Sequence, residues 1–359
     1  MEKMKAIQAL DYQVVFNTEG MTSLNLLLEQ AAYSKIFIIV DTHTHEHCLA
    51  PFLGKLSTSI AIEVIEIDPG EENKTIATCE GVWDALAHLD ADRKAVVINL
   101  GGGVVTDLGG FVASTFKRGM DFINVPTTLL AMVDASVGGK TGVDLGTLKN
   151  LIGIIKNPQL VLIDTSYLET LSAQEMRSGL AEVYKHGLIA SEVYWKSLLS
   201  LDELTTGDLG AIIYDSVIIK NDIVLKDPTE QNLRKALNFG HTLGHAIESY
   251  CLKSSNRERL LHGEAIAIGM ILESYISEKK NLLDKTSLDT ISKVLSEMYD
   301  ASIFSKEEIS IIIDNLKYDK KNSNGNVLFV LLEKIGSPVL NQKVDNALIL
   351  EAFEYYHAL

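Results

Sequence analysis

The sequence KAVVINLGGGVVTDLGG, residues 94–110, decides the fold class. The run KAVVINL is typical of a strand buried in a parallel sheet, and glycines follow it directly. A strand, a glycine-rich turn and a helix let backbone amides approach a pyrophosphate without interference from Cβ atoms. The strict Gly-x-Gly-x-x-Gly fingerprint is absent, because Thr106 occupies the third glycine position. A tight strand-to-helix turn without a ligand is therefore the alternative to a nucleotide site.

Similar strand patterns surround this stretch. Residues 35–41, 60–67, 121–125 and 160–164 are short apolar runs, and a helical pattern covers residues 75–89. This alternation predicts an α/β domain with a parallel sheet. Asp41 ends the first of these runs and is predicted either to contact a ribose or adenine or to serve as a turn or N-cap residue.

The second half of the chain has helical periodicity. With 359 residues the chain is too long for one ordinary core, so two domains are expected, 1–171 and 172–359. Residues 178–191, 214–225 and 345–357 show helical spacing, which predicts a mostly α-helical second domain.

Composition excludes several classes of partner. Lys and Arg number 32 against 48 Asp and Glu, a net charge of −16, which argues against nucleic acid and anionic membranes as partners. The three cysteines are scattered and show no Cys-x-x-Cys, so neither a disulfide framework nor a cysteine zinc site is predicted. Without an export signal or an apolar run of ~20 residues, a cytoplasmic location is expected.

Residues 237–270 gather three of the nine histidines. His241 and His245 are four residues apart, so their imidazoles are predicted to share one helix face and to bind one metal or one substrate. His262 begins a second helical run. The alternative, three ordinary core or surface histidines, is weakened by the neighbouring glycines, which clear space for a ligand.

A charged pair and a set of cations complete the candidates. Glu182 and Lys185 are three apart on a largely apolar helix, and are predicted to face a site unless they form a solvated ion pair. Two histidines and one glutamate would suit zinc. In so acidic a chain, clustered cations indicate focusing of an anionic substrate. They are Arg118, Lys140, Lys149, Lys185, Lys220 and Arg234, with a further basic loop at 317–321.

The order of these motifs resembles the 3-dehydroquinate synthase family of the sugar-phosphate cyclases. The resemblance runs from about residue 69 to residue 336. Its motifs are GGGVVTDLGGF at 101–111, VPTTLL at 125–130, SVGGKTG at 136–142, GLAEV at 179–183, NFGHTLGHAIE at 238–248 and LHGEA at 261–265.

This resemblance implies an NAD-binding α/β domain, a helical domain, an active site between them, one divalent metal (zinc, with cobalt possible) and a homodimer. The implied metal ligands are Glu182, His241 and His262, which differs from the pair that spacing alone suggests. The implied substrate contacts are Arg118, Lys140, Asn150, Lys185, Lys220, Arg234, Asn238, His245 and Lys320. The implied NAD contacts are Asp41, Glu71, Lys74, Gly102, Gly103, Val104, Val105, Thr106, Asp107, Thr127, Thr128, Asp134, Lys140, Lys149 and Thr170.

The implied reaction turns 3-deoxy-D-arabino-heptulosonate 7-phosphate into 3-dehydroquinate and phosphate. Transient oxidation by NAD, β-elimination of phosphate, reduction and an aldol closure follow one another. Thr106, Leu148 and the Lys156-Asn157 pair depart from residues common in the family. Another sugar-phosphate cyclase, a metal-dependent polyol dehydrogenase and a non-catalytic NAD sensor are the alternatives.

Overall fold

The computed structural model describes residues 4–146, 148–201, 205–316 and 327–359. The chain forms two compact units. The first comprises Met1–Gly146, Asn150–Met176 and Thr205–Leu225, and the second comprises Thr147–Lys149, Arg177–Leu204 and Lys226–Leu359. A single boundary near Ser172 stays a prediction. Thr205–Leu225, which follow it, belong to the first unit, and Thr147–Lys149, which precede it, belong to the second.

The strands fall into one large sheet and two hairpins. In chain order the strands are β1 Ile7–Gln8, β2 Gln13–Phe16, β3 Ile36–Asp41, β4 Ile62–Ile67, β5 Val96–Gly101, β6 Asp121–Pro126, β7 Lys140–Leu145, β8 Leu148–Ile155, β9 Leu160–Ile163, β10 Leu328–Lys334 and β11 Ser337–Lys343. The large sheet has the order β1-β2-β9-β6-β5-β3-β4. All its pairs are parallel except β1 with β2, which confirms the predicted parallel α/β architecture.

The helices dominate the second unit. In chain order the α-helices are α1 Asn17–Gln30, α2 Thr42–Thr44, α3 Ala50–Lys55, α4 Ile76–His88, α5 Gly103–Thr115, α6 Ala173–Ala190, α7 Glu192–Leu199, α8 Thr206–Lys226, α9 His241–Lys253, α10 His262–Lys279, α11 Lys285–Met298, α12 Lys306–Asn315 and α13 Asn346–His357. Two π-helical segments, His45–Leu49 and Ala131–Ala135, belong to the first unit. None of the helices in the described ranges is long and apolar enough to cross a membrane.

The core of the first unit explains why β5 was recognisable from sequence. Every residue of β5 is buried, as is usual for an inner strand of a parallel sheet. Gly101 at the end of β5 lies opposite Pro126 at the end of β6. The two glycine- and threonine-containing turns that follow these strands therefore start at the same edge of the sheet, where ligands of open α/β sheets bind.

The second unit is built around α10. This helix packs against α9, α11, α13 and β10, and its buried residues occur on all sides. A helix enclosed in this way lacks the single apolar stripe of a surface helix. The start of α10, at His262, contacts α6, because the amide of Gly263 donates a hydrogen bond of 3.0 Å to Ser178 Oγ.

Candidate metal and nucleotide sites

Three helices of the second unit bring an acid and three histidines together. Glu182 comes from α6, His241 and His245 from the first turns of α9, and His262 from the first residue of α10. One Glu182 carboxylate oxygen, Oε1, lies 3.3 Å from His241 Nε2 and 3.5 Å from His262 Nε2. Helix spacing alone could not predict this, because Glu182 reaches the histidines only through tertiary packing.

His245 also belongs to this group. Its ring centroid lies 5.0 Å from that of His241 and 5.7 Å from that of His262. One nitrogen from each of the three imidazoles lies within 4.8 Å of the others. Both the pairing of His241 with His245 suggested by spacing and the set with Glu182 implied by the resemblance are therefore compatible with this geometry.

The Nδ1 atoms of two of these histidines have acceptors. His241 Nδ1 lies 3.0 Å from the carbonyl oxygen of Phe239, and His262 Nδ1 lies 3.3 Å from Glu248 Oε2. A carbonyl oxygen and a carboxylate only accept, so in both rings Nδ1 carries the proton. The two Nε2 atoms then face Glu182, as in metal sites where the second ring nitrogen donates to an acceptor.

The electrostatics of the site suit a cation. Burial and the nearby Lys185 ammonium lower the pKa of His241 to about 4, which keeps this imidazole neutral at pH 7. Although burial opposes it, the carboxylates of Glu248 and Glu182 raise the pKa of His262 to about 9. The same two carboxylates would attract a divalent cation. The donor set of carboxylate and imidazole is one that zinc and cobalt accept.

Lys185 lies beside the candidate metal ligands. Its ammonium contacts Glu182 one helical turn away, and both side chains are almost completely buried. The alternative of a solvated surface ion pair is therefore wrong for this pair. A buried lysine next to a candidate metal site can hold an anion that a solvent-exposed lysine would hold only weakly.

Close packing fixes the histidine-bearing helices. Gly240, with a φ of 77°, precedes α9, and a Cβ on Gly269 of α10 would lie 1.9 Å from its carbonyl oxygen. Glu273 is buried in α10 and accepts hydrogen bonds from the amides of Gly240 at 2.7 Å and Leu243 at 3.3 Å. This carboxylate satisfies amides at the start of α9 that would otherwise lack helical partners. No pattern in the sequence pointed to Glu273.

Arg234 and Asn238 lie just before α9, in the 3₁₀ segment Leu233–Asn238. The Arg234 guanidinium is buried, and its Nη1 donates a 2.7 Å hydrogen bond to the carbonyl of Pro228. Asn238 Nδ2 donates to Glu230 Oε1 at 2.8 Å. Both side chains are thus held in place by the segment that leads into the histidine helix.

In the first unit, the glycine turn after β5 has the features of a phosphate-binding turn. A Cβ on Gly102 would lie 3.0 Å from the Thr128 side chain, and one on Gly103 would lie 3.3 Å from Leu130. Within the described part of the chain, no side chain caps the start of α5. The free amides of a helix start are the groups that bind phosphate.

Thr106 does not obstruct this turn. Its hydroxyl donates to the carbonyls of Gly102 and Gly103, and the side chain is buried, as is that of Val105. Only the backbone of these two residues is available to a cofactor, whereas Val104 is partly exposed. The departure from the fingerprint therefore leaves the turn open.

Four predicted site residues meet next to this turn. Lys74 Nζ lies 2.7 Å from Asp107 Oδ2, 2.6 Å from Asn150 Oδ1 and 3.8 Å from Glu71 Oε1. The surrounding carboxylates, Asp107 first, raise the pKa of buried Lys74 despite its burial. Lys74 is therefore a fixed cation beneath the start of α5.

A second pair of predicted residues also meets in the first unit. Lys220 Nζ on α8 donates to the backbone carbonyl of Asp134 at 2.5 Å and to its Oδ1 at 2.7 Å. Asp134 lies in the π-helical segment that follows β6. Thr127 and Thr128 precede that segment, and Thr128 Oγ1 accepts from the amide of Ala131, as expected for a helix start.

Other predicted residues lie apart from these clusters or outside the description. Asp41 Oδ1 accepts from the amide of Thr44, which confirms the N-cap reading and leaves the ribose contact a prediction. Arg118 is exposed with a φ of 70°, and Thr170 Oγ1 donates to the carbonyl of Tyr167. Lys140 begins β7 and is partly exposed. Lys320 and the rest of loop 317–321 lie outside the described residues.

Comparison with known proteins identifies relatives over nearly the whole chain. The family model described as 3-dehydroquinate synthase N-terminal matches residues 64–178, and the one described as 3-dehydroquinate synthase C-terminal matches residues 179–322. A 3-dehydroquinate synthase of Parabacteroides distasonis is 38% identical over 348 residues, which cover 96% of this chain and 98% of the relative.

Two solved structures share the fold and part of the sequence. A 2-deoxy-scyllo-inosose synthase complexed with carbaglucose-6-phosphate, NAD+ and Co2+ aligns with a TM-score of 0.82 at 25% identity, covering 98% of this chain and 100% of the other. A 2-epi-5-epi-valiolone synthase from Streptomyces hygroscopicus subsp. jinggangensis, with NAD+ and Zn2+ bound, aligns with a TM-score of 0.82 at 27% identity, covering 99% of both chains.

Proposed function

Because the chain belongs to the 3-dehydroquinate synthase family, we propose that it converts 3-deoxy-D-arabino-heptulosonate 7-phosphate into 3-dehydroquinate and phosphate. The observation that carries this proposal is the convergence of Glu182, His241 and His262, with one carboxylate oxygen within 3.5 Å of both Nε2 atoms. A lyase of this kind needs a site that can make a sugar alcohol more acidic, and an acid with two imidazoles supplies the ligands for it.

The proposed cofactors are NAD and one divalent metal ion, zinc or cobalt. When bound, NAD supplies reversible oxidation of a substrate alcohol, and the metal ion makes that alcohol a stronger acid. Two related cyclases were crystallised with NAD+ and with Co2+ or Zn2+, which supports this assignment. The residues of this chain fit both groups, since its donor set suits the ion and its open glycine turn suits a pyrophosphate.

The proposed metal ligands are Glu182, His241 and His262. Their orientation is set before metal arrives, because Phe239 and Glu248 hold the two Nδ1 atoms. His245, which lies beside the other imidazoles, is proposed to contact the substrate and to move a proton.

The first unit is proposed to bind NAD. The amides of Gly102, Gly103 and Val104 would receive the pyrophosphate at the start of α5. Lys74, held by Asp107 and Asn150, would supply a fixed positive charge near it. The remaining proposed contacts are Asp41, Glu71, Val105, Thr106, Thr127, Thr128, Asp134, Lys140, Lys149 and Thr170.

Cations are proposed to hold the acidic groups of the substrate. Lys185 and Lys220 are buried beside Glu182 and Asp134, respectively, so each ammonium is already oriented. Fixed ammonium and guanidinium groups stabilise a departing phosphate more strongly than mobile ones, because no reorganisation is needed. The other proposed contacts to the substrate are Arg118, Lys140, Asn150, Arg234, Asn238 and Lys320.

We further propose that the protein is a cytoplasmic homodimer. The three cysteines are free and buried, and burial raises the pKa of Cys48 and of Cys251 to about 11, so these thiols are kept protonated. Free thiols suit a reducing compartment. The dimer is proposed from the family resemblance. Light scattering of the purified protein tests it, because a dimer has twice the mass of one chain and a monomer has the mass of one chain.

One assay tests the proposed reaction. Protein, NAD, zinc and the heptulosonate phosphate should release one phosphate per 3-dehydroquinate formed, with no net accumulation of NADH. A polyol dehydrogenase would instead accumulate NADH in proportion to product. Another sugar-phosphate cyclase would prefer a heptulose phosphate lacking the carboxylate. Accumulation of NADH or a preference for that substrate would contradict the proposal.

A further inference from the structure

We propose that Glu248 positions the metal ligand His262, and that Lys149 holds Glu248 in the required geometry. This inference rests on the metal-dependent function proposed above and adds two positioning residues to it. Glu248 lies one helical turn after His245 on α9, outside the proposed ligand set. Neither histidine spacing nor the family resemblance gave Glu248 a role.

The two oxygens of Glu248 serve separate partners. Oε2 lies 3.3 Å from Nδ1 of His262, and Oε1 lies 2.7 Å from Nζ of Lys149. The Glu248 side chain is 7% exposed and the Lys149 side chain 8%, so water does not compete strongly for either contact. Glu248 thus bridges a fixed cation and an imidazole.

The bridge acts on the imidazole in two ways. A hydrogen bond from Nδ1–H to the carboxylate fixes the tautomer and the ring plane of His262, so that Nε2 faces Glu182 Oε1 at 3.5 Å. The negative charge of Glu248 also makes the imidazole a stronger electron donor at Nε2. Without this carboxylate the ring would lose both its orientation and part of its affinity for a metal ion.

Lys149 supports the bridge from the other side. A buried carboxylate without a compensating charge is costly, and a lysine at 2.7 Å offsets that cost. Lys149 therefore acts on the metal site through Glu248 when NAD is absent. That role is separable from the NAD contact proposed for the same residue.

Metal binding in the absence of NAD tests the inference. Metal-free wild type, Glu248→Gln and Glu248→Ala are titrated with Co2+, followed by visible absorption, and with Zn2+ in competition with a chelating dye. Outer contacts of this kind change metal affinity by about 10- to 100-fold, so Glu248→Gln should lose about tenfold and Glu248→Ala up to about 100-fold. The absorption bands of the Co2+-saturated variants should also shift, because the ligand geometry changes.

The matched control is Glu297→Gln, which changes an exposed glutamate of α11 paired with Lys293. Its metal affinity should equal that of wild type. The inference is wrong if Glu248→Gln binds metal within twofold of wild type. It is also wrong if the loss of affinity only follows a fall in melting temperature and the Co2+ absorption bands are unchanged. Wild type that binds no metal would overturn the proposed function as well, so the two failures are distinguishable.

A double variant tests the part played by Lys149. Lys149→Met alone should weaken metal binding less than Glu248→Gln does, because Glu248 still contacts His262. If Lys149 acts through Glu248, the double variant should bind metal no more weakly than Glu248→Gln alone. Losses that multiply in the double variant would show that Lys149 acts independently of Glu248.

Discussion

The Glu273 carboxylate, buried in α10, accepts a 2.7 Å hydrogen bond from the amide of Gly240, one residue before the α9 helix that carries His241 and His245. The second carboxylate oxygen accepts from Leu243 at 3.3 Å. One side chain therefore ties the start of the histidine helix to its neighbour. We therefore expect a substitution at Glu273 to alter metal binding, although Glu273 is not a proposed metal ligand.

Glu273→Gln should destabilise the protein and weaken metal binding together. Glutamine offers one acceptor oxygen, so one of two buried amides loses its partner, at a cost of about 1–3 kcal/mol. Urea unfolding of metal-free protein measures the stability change, and Co2+ titration measures affinity. Glu297→Gln is again the control, and unchanged stability in Glu273→Gln would contradict this role for Glu273.

Gly263→Ala should separate the start of α10 from α6. A Cβ at this position would lie 2.0 Å from the carbonyl oxygen of Ser178, a backbone atom that cannot move alone. Overpacking of this kind costs about 1–3 kcal/mol or more, and His262 next to it should bind metal less well. Gly81→Ala is the matched control, since a Cβ there meets nothing within 4 Å.

The control, Gly81→Ala, should stabilise the protein, whereas Gly263→Ala should destabilise it. Gly81 lies in the exposed interior of α4, where alanine is favoured over glycine by about 0.5–1 kcal/mol. Thermal unfolding of both variants checks the pair. Equal stability of Gly263→Ala and wild type would show that α6 and α10 are not packed as the structure describes.

Lys74→Met should destabilise the first unit. The substitution leaves the Asp107 carboxylate without its 2.7 Å partner, and loss of one member of a buried ion pair costs about 3–5 kcal/mol. Lys74→Met/Asp107→Asn should recover part of the loss, because the uncompensated charge is gone. Denaturant midpoints measure both. Lys196→Met, from an exposed pair with Glu192, should cost less than about 1 kcal/mol.

Glu308 should make stability depend on acid pH. Its hydrogen bond to Arg257 is the main cause that lowers the Glu308 pKa from 4.5 to about 2. Because the folded-state pKa is depressed, this stabilisation is complete above about pH 4.5 and is lost as the pH falls toward 2. Glu308→Gln should be less stable than wild type at pH 7 by about 1–2 kcal/mol, and the difference should vanish near pH 2.

Unfolding in urea at pH 7, 4 and 2.5 measures this difference. Arg257→Gln is a second variant that removes the same contact from the other side, where the guanidinium lies 2.5 and 2.6 Å from the two Glu308 oxygens. A difference between Glu308→Gln and wild type that stays constant across these pH values would contradict the assigned pKa.

Local pattern predicted much of the fold. The strand patterns match β3, β4, β5, β6 and β9 to within two residues, because buried parallel strands are continuous apolar runs. The hairpin of β7 and β8 was not predicted, because its sequence lacks the continuous apolar run of a buried parallel strand. The return of residues 205–225 to the first unit was also missed, because helical periodicity shows which face is buried but not which core buries it.

The candidate site was predictable to a similar degree. Histidine spacing placed His241 and His245 on one helix face, and their rings indeed lie 5.0 Å apart. The apolar helix around Glu182 indicated that this acid faces a site, and the family resemblance gave it the role of a metal ligand. The parts played by Glu248 and Glu273 came only from the packing of helices. Contacts between distant helices leave no periodic signal in a sequence, which is why Glu248 and Glu273 could not be found from it.

The central claim is that Glu182, His241 and His262 together hold one divalent ion. A crystal of the protein grown with zinc, measured on both sides of the zinc absorption edge, tests it most directly. The expected result is one anomalous peak at about 2.0–2.2 Å from a Glu182 oxygen and from the Nε2 atoms of His241 and His262. A peak bound by the three histidines without Glu182, or no peak at this site, would contradict the account.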